Sequence, residues 1–210
     1  MPHDLAGAER AALADLLDDV GPDVPTLCAG WTTRDLAAHL VVRERRPDAL
    51  PGLGFPPLAG WTARVQGGVA ATPWPDLVQR IRTGPPRWSP FRLPPVARAA
   101  NGVEFTVHHE DVRRGRPGWE PRHADPDRDG EVWARLQGAA RLAHRRSPVG
   151  VVLRRPDGAT IPARRGARTV TVEGEPVELL LHAFGRRAHR CSFEGEPADV
   201  AALEAAPRGG

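Results

Sequence analysis

Glu104 and His108 stand four residues apart in the stretch Asn101-Gly-Val-Glu-Phe-Thr-Val-His-His-Glu-Asp-Val-Arg-Arg114. On a helix this spacing puts a carboxylate and an imidazole on one face, one turn apart. The apolar residues Val96, Ala100, Val103 and Val107 run beside them, so both side chains are expected to point inward. A buried carboxylate next to a buried imidazole needs a partner, because an uncompensated charge in the interior is costly. A divalent cation satisfies both. A hydrogen-bonded core pair or a surface ion pair would also explain the spacing, and spacing alone leaves all three open. The same spacing recurs at Glu178 and His182, where no metal is expected, and Asp35 and His39 form a related pair.

His39 is the leading candidate for a third ligand. It falls between Leu36 and Leu40 on an apolar helix face. Two His and one Glu form a three-ligand set that leaves a fourth position for water or substrate. Helical bundles assemble such sites from facing helices. Asp111, three residues after His108, is placed to orient a ligand imidazole. His109 is rotated about 100° from His108 around the helix and reads as a flanking or supporting residue. Cys28 is either a reactive thiol near the second helix or a small core residue. His144 and His189 have Arg neighbours and read as surface residues. There is no Gly-rich phosphate loop in a strand-to-helix context, no zinc-finger spacing and no nucleophile elbow.

The elements that must hold these residues follow from periodicity and punctuation. Asp4 caps a first helix carrying Leu5, Leu13, Leu16, Leu17 and Val20, which Gly21-Pro22 ends. A second helix opens at Thr32 and Asp35, a capping-box pattern with Trp31 positioned to staple onto Leu36, and stops before Pro47. Between Pro47 and Pro75 the Pro and Gly content predicts a long connection with one helical turn near 61–66. A short helix over 75–82, a long one over 95–114 and another over 130–146 follow. The pattern then changes to strands near 149–153, 159–163 and 169–172, a helix over 176–184, a strand near 189–193 and a closing helix over 198–206. Long helices followed by short strands predict an α+β chain: a four-helix bundle over 1–147 and a small α+β domain over 148–210.

Composition narrows the function classes. All 29 basic residues are Arg, against 26 acidic residues, for a net charge of +3 over 210 residues. The sequence pI near 9.9 follows from this small excess, because little titrates between His and Arg. The charge is too weak and too interleaved to suggest a nucleic-acid footprint, and a chain without Lys reads as coding bias. No 18-residue apolar run is present, so no membrane span is expected. The N-terminal stretch is amphipathic and acidic rather than a secretory signal. Two distant cysteines suggest a reduced, cytoplasmic protein.

Two segments carry a family resemblance. Leu27-Cys-Ala-Gly-Trp-Thr-Thr-Arg-Asp-Leu-Ala-Ala-His-Leu40 resembles the second helix of the mycothiol-dependent maleylpyruvate isomerase family, within the DinB-like metal-binding four-helix bundles. Val103-Glu-Phe-Thr-Val-His-His-Glu-Asp-Val112 resembles that family's E-x3-H helix. The resemblance implies a metal, usually zinc, on His39, Glu104 and His108. It also implies mycothiol or another small thiol as cofactor. The segment Thr169 to Arg187 is similar to the group's small C-terminal domain, in which some relatives place a functional Arg, and Arg186 is a loose match. The match is to an uncharacterised metal-binding branch; the loops between Pro47 and Pro95 find no counterpart.

The expected function is therefore a metal-dependent enzyme of the thiol-dependent isomerase or S-transferase kind. Its substrate would be small, electrophilic and anionic, with Arg43 or Arg186 pairing with its carboxylate. A monomer or homodimer with no nucleic-acid or membrane partner is expected. A metal-dependent hydrolase and a non-catalytic metal-binding sensor, stress protein or partner module use the same ligand set, and they are the alternatives.

Overall fold

The structure, a computed structural model, describes residues 4–53, 55–93 and 101–208. Its contacts divide the chain between Trp119 and Glu120 into two compact units. The fold is α+β, with the sheet confined to the C-terminal unit.

The N-terminal unit is helical. Helix α1 (Leu5–Val20) starts where the Asp4 carboxylate accepts the Gly7 backbone N–H at 3.1 Å. Helix α2 (Thr33–Arg45) starts where the Asp35 carboxylate accepts the backbone N–H and the hydroxyl of Thr32, at 2.9 and 2.8 Å. Helices α3 (Ala59–Ala70), α4 (Trp74–Thr83) and α5 (Gly102–Arg113) follow. Leu13 and Leu17 of α1, Leu36 and Leu40 of α2, Leu77 and Ile81 of α4, and Phe105 of α5 form one core. That shared core makes α1, α2, α4 and α5 the bundle. Residues 94–100, including Val96 and Ala100 of the expected apolar stripe, lie outside the described residues.

Helix α3 corrects an expectation. A single turn near 61–66 is predicted, yet twelve residues are helical despite Gly60, Gly67 and Gly68. Val65 packs with Val42 and Ala49, and the buried Thr62 hydroxyl donates to the Ala49 carbonyl at 2.6 Å. Packing against α2 outweighs poor helix propensity, as tertiary contacts commonly do.

The C-terminal unit holds α6 (Pro126–Ala143), β1 (Gly150–Arg154), β2 (Thr160–Arg164), β3 (Thr169–Glu173), α7 (Pro176–Ala183), β4 (Ser192–Glu194) and α8 (Pro197–Ala205). The sheet order is β2-β1-β3-β4. β1 pairs with β2 as a hairpin turning at Gly158, with φ of 88°, and with β3 in parallel. In that parallel pair Val151 lies opposite Val170 and Leu153 opposite Val172, all four fully buried. α7 is buried along its whole length, as its run of three leucines requires.

The division of the chain also departs from expectation. The boundary expected at Ser147-Pro148 falls within the C-terminal unit. Helix α6, expected as the bundle's fourth helix, packs on α7 and β2, and α4 fills the fourth place in the bundle. An apolar stripe on α6 specifies that the helix is buried but not which surface buries it. His144, expected on the surface, is fully buried at the end of α6, with Nδ1 donating to the Ala140 carbonyl at 2.9 Å. His189 is half-buried.

Candidate metal centre

Helices α2 and α5 bring His39, Glu104 and His108 together. His39 Nε2 and His108 Nε2 each lie 3.3 Å from the same Glu104 oxygen, Oε1. All three donor atoms fall within 4.8 Å of one another. The two imidazole rings stand 5.3 Å apart at 69°, so their nitrogens converge while their faces do not stack. His39 also leans on the Trp31 ring, at 5.2 Å.

The separations fit a metal ion. A charge-assisted N–H···O bond is normally about 2.7–2.9 Å, so 3.3 Å is long for one, twice over, to a single oxygen. Tetrahedral zinc with bonds of about 2.05 Å places neighbouring ligand atoms about 3.3–3.4 Å apart. The observed spacing leaves room for an ion among the three donors. The His39 Nδ1 is buried with no hydrogen-bond partner, so the ring makes its polar contact through Nε2.

The surroundings fix His108. Its Nδ1 lies 2.9 Å from Asp111 Oδ2, which holds a proton on Nδ1 and turns Nε2 toward Glu104. The Cys28 thiol donates to the same Asp111 oxygen at 3.3 Å. Cys28 arrives there because the Leu27 backbone N–H donates to the Asp111 carbonyl at 3.0 Å. Gly115 permits that approach, since a Cβ there would meet the Pro25 carbonyl oxygen at 2.2 Å.

The charges are strongly coupled. Burial pushes the Glu104 carboxyl up, but hydrogen bonds from His108 and His39, with the positive charges of His108 and Arg43, hold it well below its usual range. Burial pushes the His108 imidazole down, but bonds to Asp111, Cys28 and Glu104 raise it well above its usual value. Each charge supports the other: the carboxylate favours the protonated imidazole, and the imidazolium favours the carboxylate.

Arg43 sits one turn after His39. Its Nε is 3.5 Å from Glu104 Oε1, its Nη1 donates to Asn101 Oδ1 at 2.6 Å, and its guanidinium covers the Phe91 ring at 4.5 Å. His109, expected as a supporting residue, faces α1, where its Nδ1 meets Glu9 Oε2 at 2.9 Å. Arg186 lies in the C-terminal unit just past α7 and donates to the Phe184 carbonyl at 2.9 Å.

The polar residues beneath the centre were not singled out from the sequence. Arg10 pairs with Glu44, and Asn101 donates to Glu44 at 3.3 Å. Their signal was available: Glu9 and Glu44 stand on the buried faces of α1 and α2, where an acid needs a partner.

Comparison with known proteins agrees with this architecture. Residues 3–52 match the family described as the mycothiol maleylpyruvate isomerase N-terminal domain. Over 91% of both chains, the fold superposes on a crystal structure of the mycothiol-dependent maleylpyruvate isomerase, with 18% identity and a TM-score of 0.58. A histidine-to-alanine mutant of that isomerase gives 17% identity and a TM-score of 0.60, again over 91% of both chains. No curated protein matches the sequence. The chain is maleylpyruvate isomerase-like in fold and in its N-terminal signature.

Proposed function

We propose that the bundle binds one divalent ion, zinc in the first instance, through His39, Glu104 and His108. We infer a thiol-dependent isomerase or S-transferase that uses mycothiol or a similar small thiol. One observation carries the metal: two imidazole nitrogens at 3.3 Å from a single carboxylate oxygen. The thiol chemistry rests on the N-terminal family match and the shared fold.

The residues of the cluster divide the work in this reading. Glu104 supplies the anionic ligand that makes the site select a cation. Asp111 keeps the proton on His108 Nδ1, and Cys28 shares in orienting that carboxylate. A zinc ion at this site would supply the Lewis acidity that makes a thiol a thiolate at neutral pH. Arg43 lies beside the ligands and already engages a carboxylate, Glu104. It is the group on α2 placed to pair with a substrate carboxylate. Arg186 retains that role on the family resemblance. The proposed setting is the cytoplasm, where a low-molecular-weight thiol stays reduced; no described helix is long and apolar enough to cross a membrane.

The test is turnover of small electrophilic carboxylates by zinc-loaded protein with and without thiol. Thiol-dependent turnover that falls at least tenfold in Arg43→Gln, with zinc retained, is the expected result. Turnover independent of thiol would turn the reading toward a hydrolase. Stoichiometric zinc without turnover of any electrophile would turn it toward a non-catalytic metal-binding protein.

A further inference from the structure

A second site lies in the C-terminal unit, independent of the metal centre. A groove of about 500 Å³ opens between the last turn of α6 and the end of β2. Arg141 and Arg145 line one wall and Arg164 and Arg165 the other, with Pro162 and Ala163 between them. No acidic residue lines it. Arg141 stands in the last turn of α6 and Arg145 just past its end.

Several arginines of this unit are already paired with carboxylates. Arg128 is bound to Asp129, Arg135 to Glu131, Arg155 to Asp157 and Arg168 to Asp199. Arg154 is bound to both Glu173 and Glu194. Among the described residues, no carboxylate forms an ion pair with any of the four groove arginines. Coding bias explains why the basic residues are Arg rather than Lys. It does not explain why four of them line one concavity with no counter-charge in it.

A structural role accounts for part of this. Arg145 donates to the Leu142 carbonyl at 2.9 Å, and Arg164 donates to the Arg145 carbonyl. Both bonds cap the C-terminal end of α6, whose dipole carries about half a negative charge. That half charge is small against four guanidinium groups. Each guanidinium has five N–H donors, so most donors in the groove remain available.

We propose that this groove binds a small molecule carrying adjacent phosphoryl groups. A single carboxylate offers two oxygens and one charge, too little for four guanidinium groups. Two linked phosphoryl groups offer several oxygens and about two to three negative charges at neutral pH, in the geometry that guanidinium forks match bidentately. Pro162 and Ala163 provide a small apolar floor for the organic part of such a ligand. A nucleic-acid strand would call for a basic track longer than a groove lined by six residues.

The experiment is calorimetric titration of the full-length protein with inorganic pyrophosphate at low salt, with inorganic phosphate and a single-stranded oligonucleotide as comparators. Saturable binding of one pyrophosphate per chain is expected, at least tenfold tighter than phosphate. Affinity should fall at least tenfold in Arg141→Gln/Arg165→Gln, two exposed positions whose replacement leaves the melting temperature unchanged. His108→Ala, which lacks a ligand of the other site, should bind pyrophosphate like the wild type. Absence of saturable binding would overturn the proposal, as would undiminished affinity in the double variant. Loss of binding in His108→Ala would transfer it to the metal centre. Competition by an oligonucleotide with affinity rising with its length would assign the groove to nucleic acid instead.

Discussion

Helices α5 and α7 each carry a glutamate and a histidine one turn apart, Glu104 with His108 and Glu178 with His182. Their surroundings make them opposites. Glu104 faces His39 from a neighbouring helix, and its oxygen sits between two imidazole nitrogens. Glu178 instead accepts the Arg190 backbone N–H at 2.7 Å. His182 stacks on His144 at 5.5 Å and meets His189 and Phe193 edge-on at 5.3 and 5.5 Å. Neither of its ring nitrogens has a hydrogen-bond partner. Burial, aided by the charge of Arg208 and the neighbouring His144 and His189, pushes its imidazole down to about 2. His108 moves the other way, because carboxylates reach both of its nitrogens. The lesson is that a Glu-x3-His spacing specifies a shared helix face and nothing more. The residue that the opposite helix supplies decides between a carboxylate–imidazole cluster and an aromatic core residue.

The largest test of this contrast is loss of metal. His39→Ala or His108→Ala should reduce bound zinc from about one per chain to background by elemental analysis, while His182→Ala leaves it unchanged. Equal metal content in all three variants would erase the distinction. A finer test moves one bond outward. Asp111→Asn should weaken zinc binding by about 10–100-fold, the usual cost of losing a carboxylate behind a ligand imidazole. Glu178→Gln should not alter zinc binding, and Cys28→Ala should lower it less than Asp111→Asn does. Competition with a chromophoric chelator measures all three.

The third test is pH. His182 has a folded-state value below its unfolded one, so the unfolded chain binds the extra proton. Stability should therefore decline as pH falls below about 6.5, by roughly 1 kcal/mol per pH unit toward the folded value. His182→Leu should remove that slope and, by eliminating unpaired buried nitrogens, raise stability at neutral pH by about 1 kcal/mol. Urea midpoints measured across pH on both proteins decide this. At the other site the sign reverses. The raised value of His108 means its stabilising contribution is present at low pH and disappears as pH rises through the folded value. Zinc competes with that proton, so zinc affinity should rise with pH over the same range.

Much of the architecture was readable from local signals. The cap at Asp4, the Thr32–Asp35 box and the Gly158 turn are decided within a few residues, and each element forms where those signals lie. Helix α3 was less legible because its stability comes from Val42 and Ala49, distant in sequence. His144 looked exposed beside Arg145 and Arg146, yet it ends α6 inside the C-terminal unit. The partners of Glu9 and Glu44 were hidden for the same reason, since each lies on another helix.

The linear chain by itself determined the donor types, their placement on helices and the phase that turns Glu104 and His108 to one side, because 3.6-residue periodicity is a local property. Only the tertiary structure decided that α2 delivers His39 to Glu104, that Asp111 captures His108 Nδ1 with Cys28 behind it, and that α6 joins the sheet rather than the bundle. It also decided that the second Glu-x3-His pair would diverge and that four arginines would share a groove without counter-charges. Those outcomes depend on which apolar faces pack together, and burial of an apolar face is non-directional: it demands a partner surface without naming one.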